Sequence, residues 1–259
     1  MYNILLRTIQ VIIFTLCIQT KLTANNIYGS INNIEYLLGQ FDPAVNEKFI
    51  SLKNAGIPSD GREHFIRKEA AKTLKKVFAD FNKQYPKIKL WIASSTRTYS
   101  QQKIIWELKW NNESKNQTKK NTNIMDSNEI HLKILKYSSM PGTSRHHWGT
   151  DIDFNVLKNS YYNSGDGKII YNWMKKNMSK YGFCQVYNKE RNMGYQEERW
   201  HWSYMPLAKI FTEEWIKVFK NDPKQFTSRI DFNGAKIKDI LELAIKYVIG
   251  INPECKNIF

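Results

Sequence analysis

Apolar positions recur along this chain with two periods, and the periods separate helices from strands. Across residues 62–84, Phe65, Ala70, Leu74, Val77, Phe78 and Phe81 return mostly every three or four residues, with Lys, Arg and Glu between them. That is the stripe of an amphipathic helix, and Pro86 ends it. Residues 87–93 begin by alternating and then turn apolar, as a largely buried strand does. A helix carrying Ile104, Ile105, Trp106 and Leu108 follows. Residues 151–157 alternate again, which puts Asp151, Asp153 and Asn155 on one face of a strand. Ile170, Trp173, Met174 and Met178 predict a helix over 169–181, with Gly182 as its C-cap. Residues 183–187 and 200–204 read as strands. In the second, His201 shares a face with Ser203, while Trp200 and Trp202 face the other way. Amphipathic helices over 211–219 and 237–248 complete the set.

Polar stretches mark the boundaries. Residues 25–60 lack the apolar content for a core of their own; they predict an N-terminal layer with a short helix at 33–38 and a turn at Asp42-Pro43. Residues 111–128 are rich in Asn, Lys, Ser and Thr and predict an exposed loop. A short helix is expected at 130–135, and turns at Gly165-Asp-Gly167 and Asn192-Met-Gly194. No internal repeat is visible, and 259 residues suit one decorated domain.

The N-terminus changes the picture of where the chain works. Arg7 precedes a mostly apolar run over 8–18, and Ala24 offers a small residue for cleavage. The run is short for a membrane span and fits the core of a signal peptide. Residues 1–24 are therefore expected to be a signal peptide, and 25–259 one exported domain, periplasmic or otherwise in the cell envelope. An uncleaved segment would be its one membrane contact. Leu16 stands before Cys17, where a lipoprotein signal wants a small residue. Export leaves Cys184 and Cys255, which an oxidising compartment allows to pair. The formal charge of +15 is diffuse and reads as a solvated basic surface. No Arg-rich cluster, RNP-type run or zinc-finger spacing accompanies it, so no nucleic-acid partner is expected.

The chemistry concentrates in two stretches. Residues 141–153 hold His146, His147, Asp151 and Asp153 around Gly149, and residues 197–202 hold Glu197, Glu198 and His201. Three of the chain's five histidines lie there. Two His and one Asp hold zinc with one position left for water, the build of a catalytic site. His146 precedes the strand of Asp153, and His201 lies on a later strand, so adjacent antiparallel strands would bring the three together. His147 and Asp151 are the rival ligands; Asp151 shares a face with Asp153 and suits a partner to a ligand histidine. Glu198, in the turn entering the last strand, is placed to take a proton from water. Arg97 follows a strand and precedes a helix, within reach of a site over the sheet. His64 and His131 lie outside both stretches.

These residues carry a resemblance. Ser144-x-His146-x-x-Gly149-x-Asp151-x-Asp153, followed by Glu198-x-Trp200-His201, resembles the signature of the VanY-like zinc D-alanyl-D-alanine carboxypeptidases. Ser95-Thr-Arg97-Thr-Tyr99-x-x-Gln102 is similar to that family's upstream motif, and the likeness spans roughly 62–205. It implies an α+β fold, a small antiparallel sheet with flanking helices and one Zn²⁺ on its open face. It implies His146, Asp153 and His201 as ligands, Glu198 as general base and then acid, and Arg97 as stabiliser of the oxyanion. Ser144 and Gln102 would hold the peptide end. The implied substrate is a peptidoglycan stem peptide, losing its terminal D-alanine. L,D-carboxypeptidase and murein endopeptidase activities share such a site, and a non-catalytic wall-binding domain is the reading from another class. Asp151 departs from the family, where many members have a small residue there.

Overall fold

The computed structural model describes residues 27–120 and 127–258. The expected signal peptide lies outside the described residues.

A four-stranded antiparallel sheet runs in the order β3-β4-β6-β5, built from β3 (Ile92–Ser94), β4 (Asp151–Phe154), β5 (Phe183–Cys184) and β6 (His201–Tyr204). A separate two-stranded sheet pairs β1 (Phe49–Ser51) with β2 (Phe65–Arg67). The helices are α1 (Asn33–Leu38), α2 (Leu52–Ala55), α3 (Lys68–Gln84), α4 (Tyr99–Lys120), α5 (Ser127–Ile134), α6 (Gly165–Asn177), α7 (Met205–Asn221), α8 (Lys224–Thr227) and α9 (Ile240–Ile249). The fold is α+β, with small antiparallel sheets flanked by helices. Among the described residues no helix is long and apolar enough to cross a membrane.

Strand alternation divides the interior. Ile152, Phe154 and Trp202 turn to one side of the sheet, where they join Leu74, Phe78 and Phe81 of α3 and Ile170, Trp173 and Met174 of α6. Each large side chain buried there contributes roughly 1.5–3 kcal/mol. A second cluster gathers Tyr36 and Leu37 of α1, Trp148, and Phe211, Trp215 and Phe219 of α7 with the C-terminal residues. The N-terminal layer is thus docked on this second core: Tyr36 stacks on Phe41 and Phe211, and its hydroxyl donates to the Trp148 carbonyl (2.9 Å).

Four elements differ from the sequence pattern. The helix expected from 62 begins at Lys68, because residues 65–67 pair with β1 instead; a three-residue strand leaves no local period, and its partner lies 14 residues upstream at closest register. The loop expected over 111–128 is helical through Lys120. Lys, Glu and Gln sustain a helix at little cost, and Glu113 pairs with Lys133 of α5. The strand expected over 151–157 stops at Phe154: Asn155 has φ 47°, and its side chain leaves the shared face to bond the Lys89 carbonyl and the Trp91 N–H. The turn expected at residues 165–167 is the first turn of α6. Gly167 is required there because a Cβ would meet the Tyr161 carbonyl oxygen at 2.1 Å.

Cys184 of β5 and Cys255 are joined by a disulfide across a sequence separation of 71. Beside it, Asn252 N–H donates to the Val186 carbonyl (2.8 Å). The C-terminal segment is therefore cross-linked to the edge of the central sheet. A loop of that length makes the cross-link worth about 4 kcal/mol. Cys255→Ser is expected to lower the unfolding free energy by about that amount in urea titrations. An unchanged midpoint would show that the bridge adds nothing to the fold.

Candidate metal centre

Register performs the first step of assembly. β4 and β6 pair with Asp153 opposite His201 and Asp151 opposite Ser203. Opposed residues share a face, so both aspartates and His201 stand together while Ile152 and Trp202 fill the core behind them. His146 enters from a short 3₁₀ turn, Arg145–Trp148, capped by Gly149 at φ 72°. A Cβ on Gly149 would lie 2.3 Å from the Phe49 ring, so only glycine lets this turn sit against the β1–β2 layer.

Hydrogen bonds then fix the imidazoles. His146 Nδ1 donates to the Ser95 carbonyl (2.7 Å), which turns Nε2 inward. His201 Nε2 donates to Asp151 Oδ1 (2.9 Å), which turns Nδ1 inward. The inward nitrogens are 3.2 Å apart, and the Asp153 carboxylate lies 3.0 Å from His201 and 3.4 Å from His146. Two nitrogen lone pairs meeting beside a carboxylate need a shared proton or a cation. The three donor atoms lie within 4.8 Å of one another, and all three residues are buried. Two nitrogens and one oxygen with the outer nitrogens already engaged fit a zinc ion with a position to spare.

The electrostatics agree with that use. Burial opposes charge on His201, but the hydrogen bonds and charges of Asp151 and Asp153 outweigh it and push the imidazole up to about 9. Burial and the Arg97 charge push His146 down. Burial also opposes ionisation of Asp153, yet the two imidazoles hold it well below the usual carboxylate range. The metal-free site thus keeps a cation on His201, where a metal ion would replace the proton.

Asp151 lies outside the donor set. Its Oδ1 accepts from His201 and from Arg145 Nε (3.1 Å), and its Oδ2 from Thr150 (2.6 Å) and Ser203 (3.0 Å). Arg145 is itself buried, with its other nitrogens on Thr212 and Ser203 (both 2.8 Å) and its guanidinium over the Trp148 ring. His147 turns away: Nδ1 donates to the Arg97 carbonyl (2.6 Å), Nε2 accepts the Gly142 N–H (3.0 Å), and burial pushes it to about 3. It is a neutral brace. His64 bonds Asp60, and His131 sits among Trp106, Trp110 and Phe232.

Glu198 is buried in the turn before β6, its N–H donating to the Tyr187 carbonyl (2.9 Å). Its Oε2 lies 3.8 Å from His201 Nδ1, beside the donor set. Burial, with the Asp153 charge, pushes it up to about 7 against the pull of His201, Arg97 and Lys109. Arg97 follows β3; its N–H donates to the His146 carbonyl (3.2 Å), while its Nε has no protein partner. Ser144 Oγ and Gln102 Oε1 are likewise buried and unpartnered, although Gln102 Nε2 donates to the Ser139 carbonyl (2.8 Å). Three of the polar groups singled out in the sequence are therefore buried without protein partners.

The pattern of the chain did not single out Arg145, Gln185 or Lys109. Arg145 stands six residues before Asp151, and that opposite charge was the available signal. Gln185 Nε2 donates to the Glu198 carbonyl (3.3 Å), a contact across a turn that no spacing reveals. Lys109 lies seven residues after Gln102, on the same helix face.

A family profile described as VanY: D-alanyl-D-alanine carboxypeptidase matches residues 63–207, more than half of the chain. The chain belongs to the VanY family. No curated protein sequence matches it. Among solved structures, this VanY-family chain is similar to the LdcB LD-carboxypeptidase (24% identity, TM-score 0.48, 70% of this chain and 80% of that one). It is also similar to VanYB in complex with D-alanine-D-alanine (20% identity, TM-score 0.45, 64% and 88%). A third is the D,D-pentapeptidase VanY of a VanB-type resistance cassette, in complex with Zn(II) (21% identity, TM-score 0.44, 62% and 88%).

Zinc added to metal-free protein is expected to raise the melting temperature, by roughly 5–10 °C at a hundredfold excess over Kd. His146→Ala should abolish that shift whatever its own baseline. An equal shift in both proteins would move the metal site elsewhere.

Proposed function

We propose that the protein is an exported zinc carboxypeptidase of the cell envelope that removes the terminal D-alanine from peptidoglycan stem peptides. One observation carries the reading: a buried Glu198 held beside a three-donor metal set, in a VanY-family chain. His146, Asp153 and His201 would hold the zinc. The ion supplies Lewis-acid polarisation of the scissile carbonyl and acidification of water when bound.

The chain's own groups supply the rest. Glu198 takes the proton of the attacking water and passes it to the departing amine nitrogen, the double task of a carboxyl tuned near neutrality. Its burial holds it there, at about 7. The Arg97 guanidinium, with Nε free of protein partners, faces the oxygen that gains charge as the carbonyl becomes tetrahedral. Its backbone is clamped to His146 and His147, so the charge is fixed before substrate arrives. Ser144 Oγ and Gln102 Oε1, both bare and buried, offer one donor and one acceptor to the peptide backbone. Asp151 keeps His201 in the tautomer that presents Nδ1.

Glu198→Ala is expected to retain zinc and lose D-alanine release by about 10²–10⁴-fold. The assay uses a pentapeptide stem beside a tetrapeptide stem. Release from the pentapeptide supports D,D-cleavage, release from the tetrapeptide alone supports L,D-cleavage, and cutting of cross-links alone supports an endopeptidase. A variant as active as wild type would remove Glu198 from the mechanism.

A further inference from the structure

Two side-chain cations, Arg97 and Lys109, act on the Glu198 carboxyl beside the donor set, and the mechanism above uses one of them, Arg97. The other is Lys109 on α4, two helical turns beyond Gln102 and on the same face. Gln102 Nε2 donates to the Ser139 carbonyl (2.8 Å), and Lys109 Nζ donates to the Ser138 hydroxyl. The two side chains thereby grip consecutive residues of the segment that leads to Ser144. The charge of Lys109 is felt by Glu198, and Lys109 and Arg97 repel each other. Its ammonium therefore belongs to the same electrostatic site as the base.

Lys109 is half-buried, and among the described residues no carboxylate pairs with it. An ammonium has three donors, and Ser138 occupies one. A cation partly withdrawn from water without a counter-charge is a cost to the fold; burial accordingly pushes this ammonium below the usual lysine range. Arrival of an anion offsets that cost.

The neighbouring groups limit which anion. Gln102 Oε1 is a bare acceptor and takes a peptide N–H, whereas Ser144 Oγ can donate. Arg97 is directed to the developing oxyanion. Asp153 and Glu198 repel an anion from the metal side. Removal of a single terminal residue also requires a free α-carboxylate to be recognised about one Cα spacing, ~3.8 Å, from the residue being cut. Lys109 is the cation left for it. We propose that Lys109 anchors the terminal carboxylate of the peptide and so makes this site one for chain ends rather than for internal bonds. The inference rests on the peptidase reading above.

The test uses the zinc-loaded full chain and two peptides: a D-Ala-D-Ala-terminated stem and the same stem with a terminal carboxamide. A charge-assisted hydrogen bond is worth about 10–100-fold. Wild type is expected to favour the free acid by about 30-fold or more in kcat/KM. Lys109→Met should shrink that preference to about 3-fold, mainly through KM, with zinc content retained, and Lys109→Arg should restore most of it. A Lys109→Met protein that loses activity on both peptides alike, with the preference intact, overturns the assignment. So does a preference that follows an upstream side-chain carboxylate when that group is amidated instead. If wild type cleaves neither peptide, the peptidase reading fails and takes this inference with it; a preserved preference in Lys109→Met sinks the inference alone.

Discussion

Asp151 carries a fully buried negative charge, and the geometry of the site depends on how that charge is compensated. Four donors from two separate segments converge on it: Thr150 and Arg145 from the central motif, His201 and Ser203 from β6. Arg145 extends the network to Thr212 of α7. Satisfying one carboxylate therefore locks strand, turn and helix into a single register. A buried pair of this kind is a poor source of net stability, but removing one partner costs about 3–5 kcal/mol. Its value here is specificity. His201 can present Nδ1 to the donor set only while Nε2 has an acceptor, and Asp151 is that acceptor.

The C-terminal fifth lies beyond the residues matched by the family profile, yet it is tied to the turn that carries Glu198. Gln185 sits at the joint: its amide donates to the carbonyls of Tyr187 and Glu198 (both 3.3 Å), while its own carbonyl accepts from Asn252. Arg191 donates to the carbonyls of Asn188, Tyr195 and Gly250, gathering the preceding loop against the end of α9. With the disulfide, these contacts couple the C-terminal helices to the backbone of Glu198. Such a lattice holds the Glu198 carboxyl in place without touching its oxygens.

How much of this was legible in the sequence follows from the range of each interaction. Alternation over β4 and β6 sorted Asp151, Asp153 and His201 from Ile152 and Trp202, because strand faces are written in the local period. Types and spacing put His146, Asp153 and His201 among the candidate ligands but left His147 and Asp151 as rivals, and it was the resemblance that implied the set of three. Elements held by distant partners were hidden. The β2 strand exists because β1 offers hydrogen bonds, and its three residues looked like the start of α3. The second half of α4 looked like a loop because its residues are polar, although polarity alone does not stop a helix that a packed first half has nucleated. Asn155 seemed to share a face with Asp151 until its side chain closed the turn onto Lys89 and Trp91. Arg145 and Lys109 were obscure for a further reason. A cation takes its role from the groups packed around it, and those come from distant parts of the chain.

The charges explain why one carboxyl can serve as base. Asp151 is offset by Arg145, so the donor set contributes chiefly the charge of Asp153. That charge and burial together hold Glu198 at about 7, so near neutrality it is shared between its two protonation states. A divalent cation held by His146, Asp153 and His201 would reverse the balance, because it would be the largest local charge and would favour neighbouring carboxylates. The base form of Glu198 is then linked to occupancy of the site. Arg97 and Lys109 add to this pull from the solvent side. Burial raises the carboxyl toward the value at which it can return a proton to an amine, and the surrounding cations keep it from going further. The same buried position would thus serve both halves of the proposed proton transfer.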